Sequence, residues 1–385
     1  MTVFGRALSL VTLLIAISVA TPLAALETRA QAAFVLDYNT GTVLLQKNAD
    51  VALPPASMSK LMTLYMTFEA LRDGRLSLDE KLPVSENAMK YGGSTMFLNT
   101  RDKVRVEDLI KGVIVLSGND ACVVLAEALA GSEAEFARAM TARAQQLGMT
   151  QSHFVNPNGW PDPGQRMSAR DLVTLASHII RDFPEYYKYF AIREFRFDNR
   201  SPANRYNRNP LLRMNIGADG LKTGHTKEAG YGLVGSAVRN GRRVIVMISG
   251  LETAQDRATE GAKLINWAFR QFVEKKVLKA GQIMGKADVW LGTSDKIGLQ
   301  VAKDVSLLLP VTSKDRLKGE IRLNAPVEAP IAKGQKLGTL TVTVPGLKTV
   351  TVPLVAASSV DKAGFASRLW LSAKILGDKV LELAR

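Results

Sequence analysis

The sequence predicts a mixed α/β domain, helices around a sheet, followed by a small all-β sandwich and a C-terminal amphipathic helix. Three observations carry this. Apolar residues recur at helical spacing through much of 57–180, with strand-like runs on either side. Beyond Lys279-Ala280-Gly281 helical periodicity vanishes, and short Val, Leu and Thr runs alternate with Gly and Pro. A 3.6-residue period then returns over 365–383. The expected division is a leader at 1–25, a mixed domain at 31–275, a β-sandwich at 276–356 and an appended helix at 357–385. A 385-residue chain, at roughly 150 residues per domain, has room for two or three domains.

Taken in order, the N-terminus comes first. Arg6 is the sole charge before Glu27, and an uncharged run rich in Leu, Ile, Val and Ala ends in small residues with Pro22 inside it. That is the pattern of a cleaved secretory signal, a retained anchor being the alternative. Strands are expected at 33–37 and 42–45 around the turn Tyr38-Asn39-Thr40-Gly41. Helices are expected at 57–71, 106–116, 120–130, 133–147 and 168–180, with Ser117-Gly118-Asn119 breaking the second from the third. Strands at 221–223, 231–238 and 244–249 follow, the last two joined by Asn240-Gly241, and a long helix is expected over 254–277. In the all-β part, 339–344 and 349–354 alternate around Pro345-Gly346. On the last helix Phe365, Leu369, Leu376, Val380 and Leu383 share a face, and Arg368, Lys374, Lys379 and Arg385 outnumber Asp378 and Glu382. Such a segment either packs on the β domain or lies in the plane of an anionic membrane surface.

Composition narrows the function. Hydrophobic residues at 46% and charged residues at 22% exclude a collagen, a disordered tail and a multi-span membrane protein. The net charge of +14, or +13 once Arg6 leaves with residues 1–25, draws the protein to something anionic. In an exported protein that is an envelope component and no nucleic acid. The single cysteine, Cys122, forbids an intrachain disulfide, and three histidines with one cysteine make a poor zinc set.

Three short motifs bear chemistry: Ser57-Met58-Ser59-Lys60, Ser117-Gly118-Asn119 and Lys222-Thr223-Gly224. A serine hydroxyl needs an adjacent base, and Lys60, one turn after Ser57, serves if burial and a second cation lower its pKa. Ser117 can relay a proton between Lys60, the serine oxygen and a leaving amine, while Asn119 can hold a substrate carbonyl and orient Lys60. Lys222-Thr223-Gly224 reads as an edge strand, where free backbone groups pair with an extended peptide, Gly224 allows close approach, and Lys222 and Thr223 bind a terminal carboxylate. Singly these are a helix cap, a turn and a basic strand end. Their order and helix–loop–strand contexts together make a catalytic set.

With Asp219-Gly220-Leu221-Lys222-Thr223-Gly224-His225-Thr226 and Ser168-Ala169-Arg170-Asp171, the chain resembles the low-molecular-mass penicillin-binding proteins that are D-alanyl-D-alanine carboxypeptidases, from about Ala33 to the C-terminus. The resemblance implies a penicillin-recognising serine transpeptidase/β-lactamase-like catalytic domain, an antiparallel sheet flanked by helices, with no metal and no other cofactor. It implies removal of the terminal D-Ala from peptidoglycan pentapeptide stems through an acyl-enzyme on Ser57, with Lys60 as base and Ser117 and Asn119 completing a proton relay. Lys222 would hold the substrate carboxylate, with Arg208 and Arg257 nearby, and the backbone N–H groups of Ser57 and His225 would form the oxyanion hole. β-Lactams would be covalent inhibitors, and the protein would be periplasmic, attached to the inner membrane through its C-terminal helix. His153, His178 and the His225 side chain have no expected part, and Cys122 is expected to be a buried, inert thiol.

One departure is Trp160, where such proteins usually carry a smaller aliphatic residue; it bears on local substrate fit. Three rivals stand. A class A-like β-lactamase would need a glutamate in the intervening loop, and 154–171 contains none. A non-catalytic cell-wall scaffold would normally have lost a nucleophile or base. A peptidoglycan endopeptidase would share all of the chemistry.

Overall fold

The computed structural model describes residues 26–364, apart from Ser201, 312–316, 345–346 and Lys348. The expected leader and nearly all of the expected C-terminal helix lie outside the described residues.

A five-stranded antiparallel sheet organises the first part: β1 (Ala32–Asp37), β2 (Thr42–Lys47), β5 (Ala218–Thr226), β6 (Gly230–Arg239) and β7 (Arg242–Leu251), in the order β2-β1-β7-β6-β5. A two-stranded ribbon of β3 (Lys81–Pro83) and β4 (Lys103–Arg105) lies apart from it. The inner strands β1, β6 and β7 are buried on both faces, so they read as largely apolar runs. Phe34, Val234, Ile245 and Met247 face a large core shared with α1 (Lys60–Arg72), α4 (Asn119–Ala130), α5 (Glu133–Gln146) and α6 (Ala169–Asp182). Val35, Leu233, Val246 and Ile248 face a smaller core with Leu264, Ile265 and Trp267 of α8 (Ala254–Gln271). Local sequence starts several of these helices. Ser132, Ser168 and Thr253 each accept a hydrogen bond from the backbone N–H three residues on, at the N-termini of α5, α6 and α8.

Two expected helices end differently. That over 106–116 is a short α3 (Val106–Lys111) followed by a π-helical turn, Gly112–Leu116. Ser117 then takes a left-handed conformation at φ 61°, and the Gly118 N–H reaches back to the Gly112 carbonyl at 3.1 Å. The helix expected over 254–277 stops at Gln271, and Phe272–Leu278 is strand β8. The reason is a partner the sequence does not announce: β8 pairs antiparallel with β11 (Val305–Pro310). The rest of the all-β part is a second five-stranded sheet of β9 (Ile283–Asp288), β10 (Lys296–Val301), β12 (Lys318–Leu323), β13 (Lys336–Thr343) and β14 (Val350–Ala356), ordered β12-β13-β14-β10-β9 over its own core. The expectation of helix from 357 fails over its first residues. Val360 bridges to Ile331 and Lys362 to Gly292, so the chain stays extended against the β domain there.

Arg242 ties the α8–β8 junction to the sheet. Its Nε meets Asp37 Oδ2 at 2.5 Å, and its Nη1 donates to the carbonyls of Ala268 (3.2 Å) and Phe272 (2.6 Å). Asp37 is fully buried, so removing its partner strands a charge in the interior. Arg242→Met should therefore lower stability by about 3–5 kcal/mol, read as a shift in the urea unfolding curve.

Candidate active site

Ser57 lies on a 3-10 turn, Ala56–Ser59, one step ahead of α1, which starts at Lys60 itself. This corrects the expectation of an α-helical start and sharpens the geometry. In a 3-10 turn side chains three apart eclipse, and Lys60 Nζ stands 2.9 Å from Ser57 Oγ. Ser57 is half-buried while Lys60 is fully buried.

Two further segments close on the amine. Asn119, the first residue of α4, accepts from Lys60 Nζ at Oδ1 (2.7 Å) and donates from Nδ2 to the Gly92 carbonyl (2.9 Å), which fixes the direction of its amide. The Asn158 carbonyl accepts from Lys60 Nζ at 2.5 Å. Burial lowers the Lys60 pKa to about 8; the charge of Arg208 pushes the same way, against Cys122 and Asp120. The strap carrying Asn158 lies directly on the Ser57 turn. Gly159, at φ 77°, would place a Cβ 2.0 Å from the Ala56 carbonyl oxygen, so only glycine fits there.

On the sheet side, Lys222-Thr223-Gly224 lies in β5, which among the described residues is an edge strand paired only with β6. A Cβ on Gly224 would meet the Pro55 carbonyl oxygen at 2.9 Å, so its absence lets the strand approach the Ser57 turn. Lys222 Nζ donates to Ser117 Oγ at 3.0 Å, and its pKa is pushed well down by burial, then by Lys60, Arg208 and Arg257. Ser57, Lys60 and Asn119 thus form one hydrogen-bonded group, and Ser117 with Lys222 a second one.

Arg208 reaches the same region through Ser94 Oγ (2.7 Å), the Leu116 carbonyl (3.2 Å) and Asn204 Oδ1 (2.8 Å). Arg257 lies 5.4 Å from the centre of the Tyr231 ring, and its Nε is buried without a hydrogen-bond partner among the described residues. His225 is exposed, its ring stacked on Tyr231 at 3.9 Å. His153 binds the Gly164 carbonyl and His178 binds Asp182, both outside this cluster. Cys122 is fully buried one turn after Asn119, and burial pushes its thiol up to about 12, so it stays neutral.

Sequence reasoning missed several contributors. The Asn158 carbonyl was hidden because backbone oxygens carry no residue signature; the turn Asn156-Pro157-Asn158-Gly159 marked only a loop. Asp120 was passed over as a helix residue. Its buried carboxylate accepts the N–H groups of Met96 (3.0 Å) and Leu98 (3.1 Å), anchoring the loop that supplies Gly92 and Ser94.

The arrangement is a serine hydroxyl against a buried lysine amine, beside a strand edge and a group of cations. It suits acyl transfer from an extended peptide that ends in a carboxylate.

Comparison with known proteins agrees. The family model for D-alanyl-D-alanine carboxypeptidase matches residues 17–253, and that for the C-terminal domain of penicillin-binding protein 5 matches 272–362. The D-alanyl-D-alanine carboxypeptidase DacC of Escherichia coli is 37% identical over 350 residues, covering 89% of this chain and 86% of that protein. The structure of penicillin binding protein 5 from Haemophilus influenzae superposes with a TM-score of 0.76 at 35% identity, over 88% of this chain and 99% of that one. Penicillin-binding protein D2 from Listeria monocytogenes, in an ampicillin-bound form, superposes at 0.58 with 34% identity, over 63% of this chain and 99% of that one.

Proposed function

The chain belongs to the D-alanyl-D-alanine carboxypeptidase family and is a serine-type hydrolase of peptidoglycan stems, and from that premise we propose which residues carry the reaction and where it occurs. Ser57 attacks the carbonyl between the last two D-Ala residues. Lys60 takes the Ser57 proton through its 2.9 Å contact. The backbone N–H groups of Ser57 and His225 receive the oxyanion. Ser117, linked to Lys222 at 3.0 Å, passes its proton to the departing amine and regains one from Lys60, so the proton taken from Ser57 ends on the released D-Ala. Water then hydrolyses the acyl-enzyme. Lys222 and Thr223, with Arg208 and Arg257, hold the terminal carboxylate, and Gly224 lets the peptide lie close along β5. The observation that carries this reading is the single buried amine shared by Ser57, Asn119 and Asn158. A β-lactam acylates the same serine.

The same reading covers the ends of the chain. Residues 1–25 act as an export signal, and the basic amphipathic segment beyond 364 lies in the plane of an anionic inner-membrane surface, holding the protein in the periplasm. The pattern of apolar and cationic residues over 365–385 supports this, as does the envelope substrate.

Ser57→Ala should abolish both D-Ala release from a pentapeptide and covalent labelling by a fluorescent penicillin; stoichiometric labelling of that variant would refute the nucleophile. Lys222→Ala removes a charge-assisted contact worth roughly 1.5–3 kcal/mol, so kcat/KM on the pentapeptide should fall on the order of ten- to a hundredfold. An equal fall on a substrate with an amidated terminus would mean that Lys222 serves the serine chemistry instead. Deleting residues 363–385 should move the protein from the membrane fraction to the soluble periplasm while activity on free pentapeptide persists. A truncated protein that stays with the membrane contradicts the anchor.

A further inference from the structure

Trp160 is the one residue at the site that sequence analysis singled out and the catalytic account leaves unused. It is 45% exposed, although tryptophan is usually well covered. Its backbone is held firmly. The N–H donates to Asn156 Oδ1 (3.1 Å) and Asn158 Oδ1 (2.9 Å), and its carbonyl accepts from Asn156 Nδ2 (3.0 Å). Its ring meets Tyr91 edge-on, centroids 5.8 Å apart at 83°, and the Tyr91 hydroxyl is bonded to Glu133 at 2.8 Å. Gly93, at φ 72°, lies under the Trp160 ring. A Cβ there would lie 3.5 Å from the Trp160 ring and 3.4 Å from Asn119 Nδ2, so the aromatic pair is next to the amide that holds Lys60.

The position along the cleft assigns the pair to one end of a bound peptide. Arg208 sits with Ser94 and Leu116, beside the Lys222–Ser117 contact, where the terminal carboxylate belongs. Trp160 instead borders a recess with Pro55, Ala56, Thr226 and Glu228, and Thr226 is the last residue of β5, past Lys222. A peptide paired with β5 and acylating Ser57 therefore carries its N-terminal portion past Trp160.

We propose that Trp160, with Tyr91 behind it, is a specificity-determining residue that selects substrates by the group N-terminal to the D-Ala-D-Ala unit, favouring a long side chain with apolar surface. This rests on the carboxypeptidase reading and adds the contact that reads the rest of the stem. A tryptophan already fixed by its backbone and by Tyr91 presents a large apolar surface with little ordering left to lose on binding. Aliphatic methylenes of a stem side chain would cover the exposed ring, whereas a bare acetyl group would not reach it.

The test compares kcat/KM of the full mature protein on Nα,Nε-diacetyl-L-Lys-D-Ala-D-Ala and on N-acetyl-D-Ala-D-Ala. The unaltered protein should prefer the longer substrate. Trp160→Leu and Trp160→Ala should each shrink that preference by about tenfold, as truncation of an aromatic anchor does, mainly through KM on the longer substrate. A preference that survives both substitutions overturns the inference. So does an equal loss on both substrates, which would place Trp160 as a support of the Asn158 strap. If the unaltered protein released D-Ala from neither substrate, the carboxypeptidase reading itself would fall, and this inference with it.

Discussion

Three separated stretches of chain meet on one amine. The Lys60 Nζ is bonded to Ser57 on the 3-10 turn, to Asn119 at the head of α4 and to the Asn158 carbonyl on the overlying strap. An amine buried that deeply is costly to leave unmatched, and a cage of three acceptors matches its three protons. The same burial, with Arg208 nearby, brings the lysine down to about 8, near enough to neutrality to serve as a base. Structural and chemical demands therefore coincide at this atom. Backbone in the left-handed region flanks it: Ala56 at φ 47° lies one residue before Ser57, and Ser117 at φ 61° two before Asn119.

The rest of the site follows from crowding like charges. Lys60, Lys222, Arg208 and Arg257 converge with few carboxylates among them, and Asp120 is occupied by backbone N–H groups. Like charges held this close repel one another, so the proposed carboxylate-binding role would relieve a repulsion already present. The edge position of β5 would offer main-chain pairing in the proposed reaction, and Gly224 lets that strand come close to the Ser57 turn. The wider positive charge of the chain, +14, favours an anionic partner at longer range.

What the sequence made legible was chemistry carried by side chains at fixed spacing. Ser57 and Lys60, Ser117 and Asn119, and Lys222 with its strand were all readable, because residue type and local pattern agreed. The mixed domain and the β domain were readable from the change in periodicity near 280. Contributions made by backbone atoms were not, as with the Asn158 carbonyl. Nor were features decided by a distant partner. Residues 272–278 continue the pattern of α8 yet become strand because β11 lies alongside, and Val106–Leu116 reads as one helix although its second half unwinds into a π turn that delivers Ser117. The Tyr91–Trp160 contact joins residues 69 positions apart and leaves no trace in local spacing.

The central claim is that Lys60, held in its cage with a lowered pKa, is the base for Ser57. The most direct measurement is the second-order rate of acylation by a neutral-backbone depsipeptide or a penicillin across pH 6 to 11. The base must be unprotonated to act, so the rate should climb as pH passes the Lys60 pKa and level off above it, with a midpoint at about 8. A midpoint near that of an ordinary solvated lysine, or a rate flat across the range, would contradict the account.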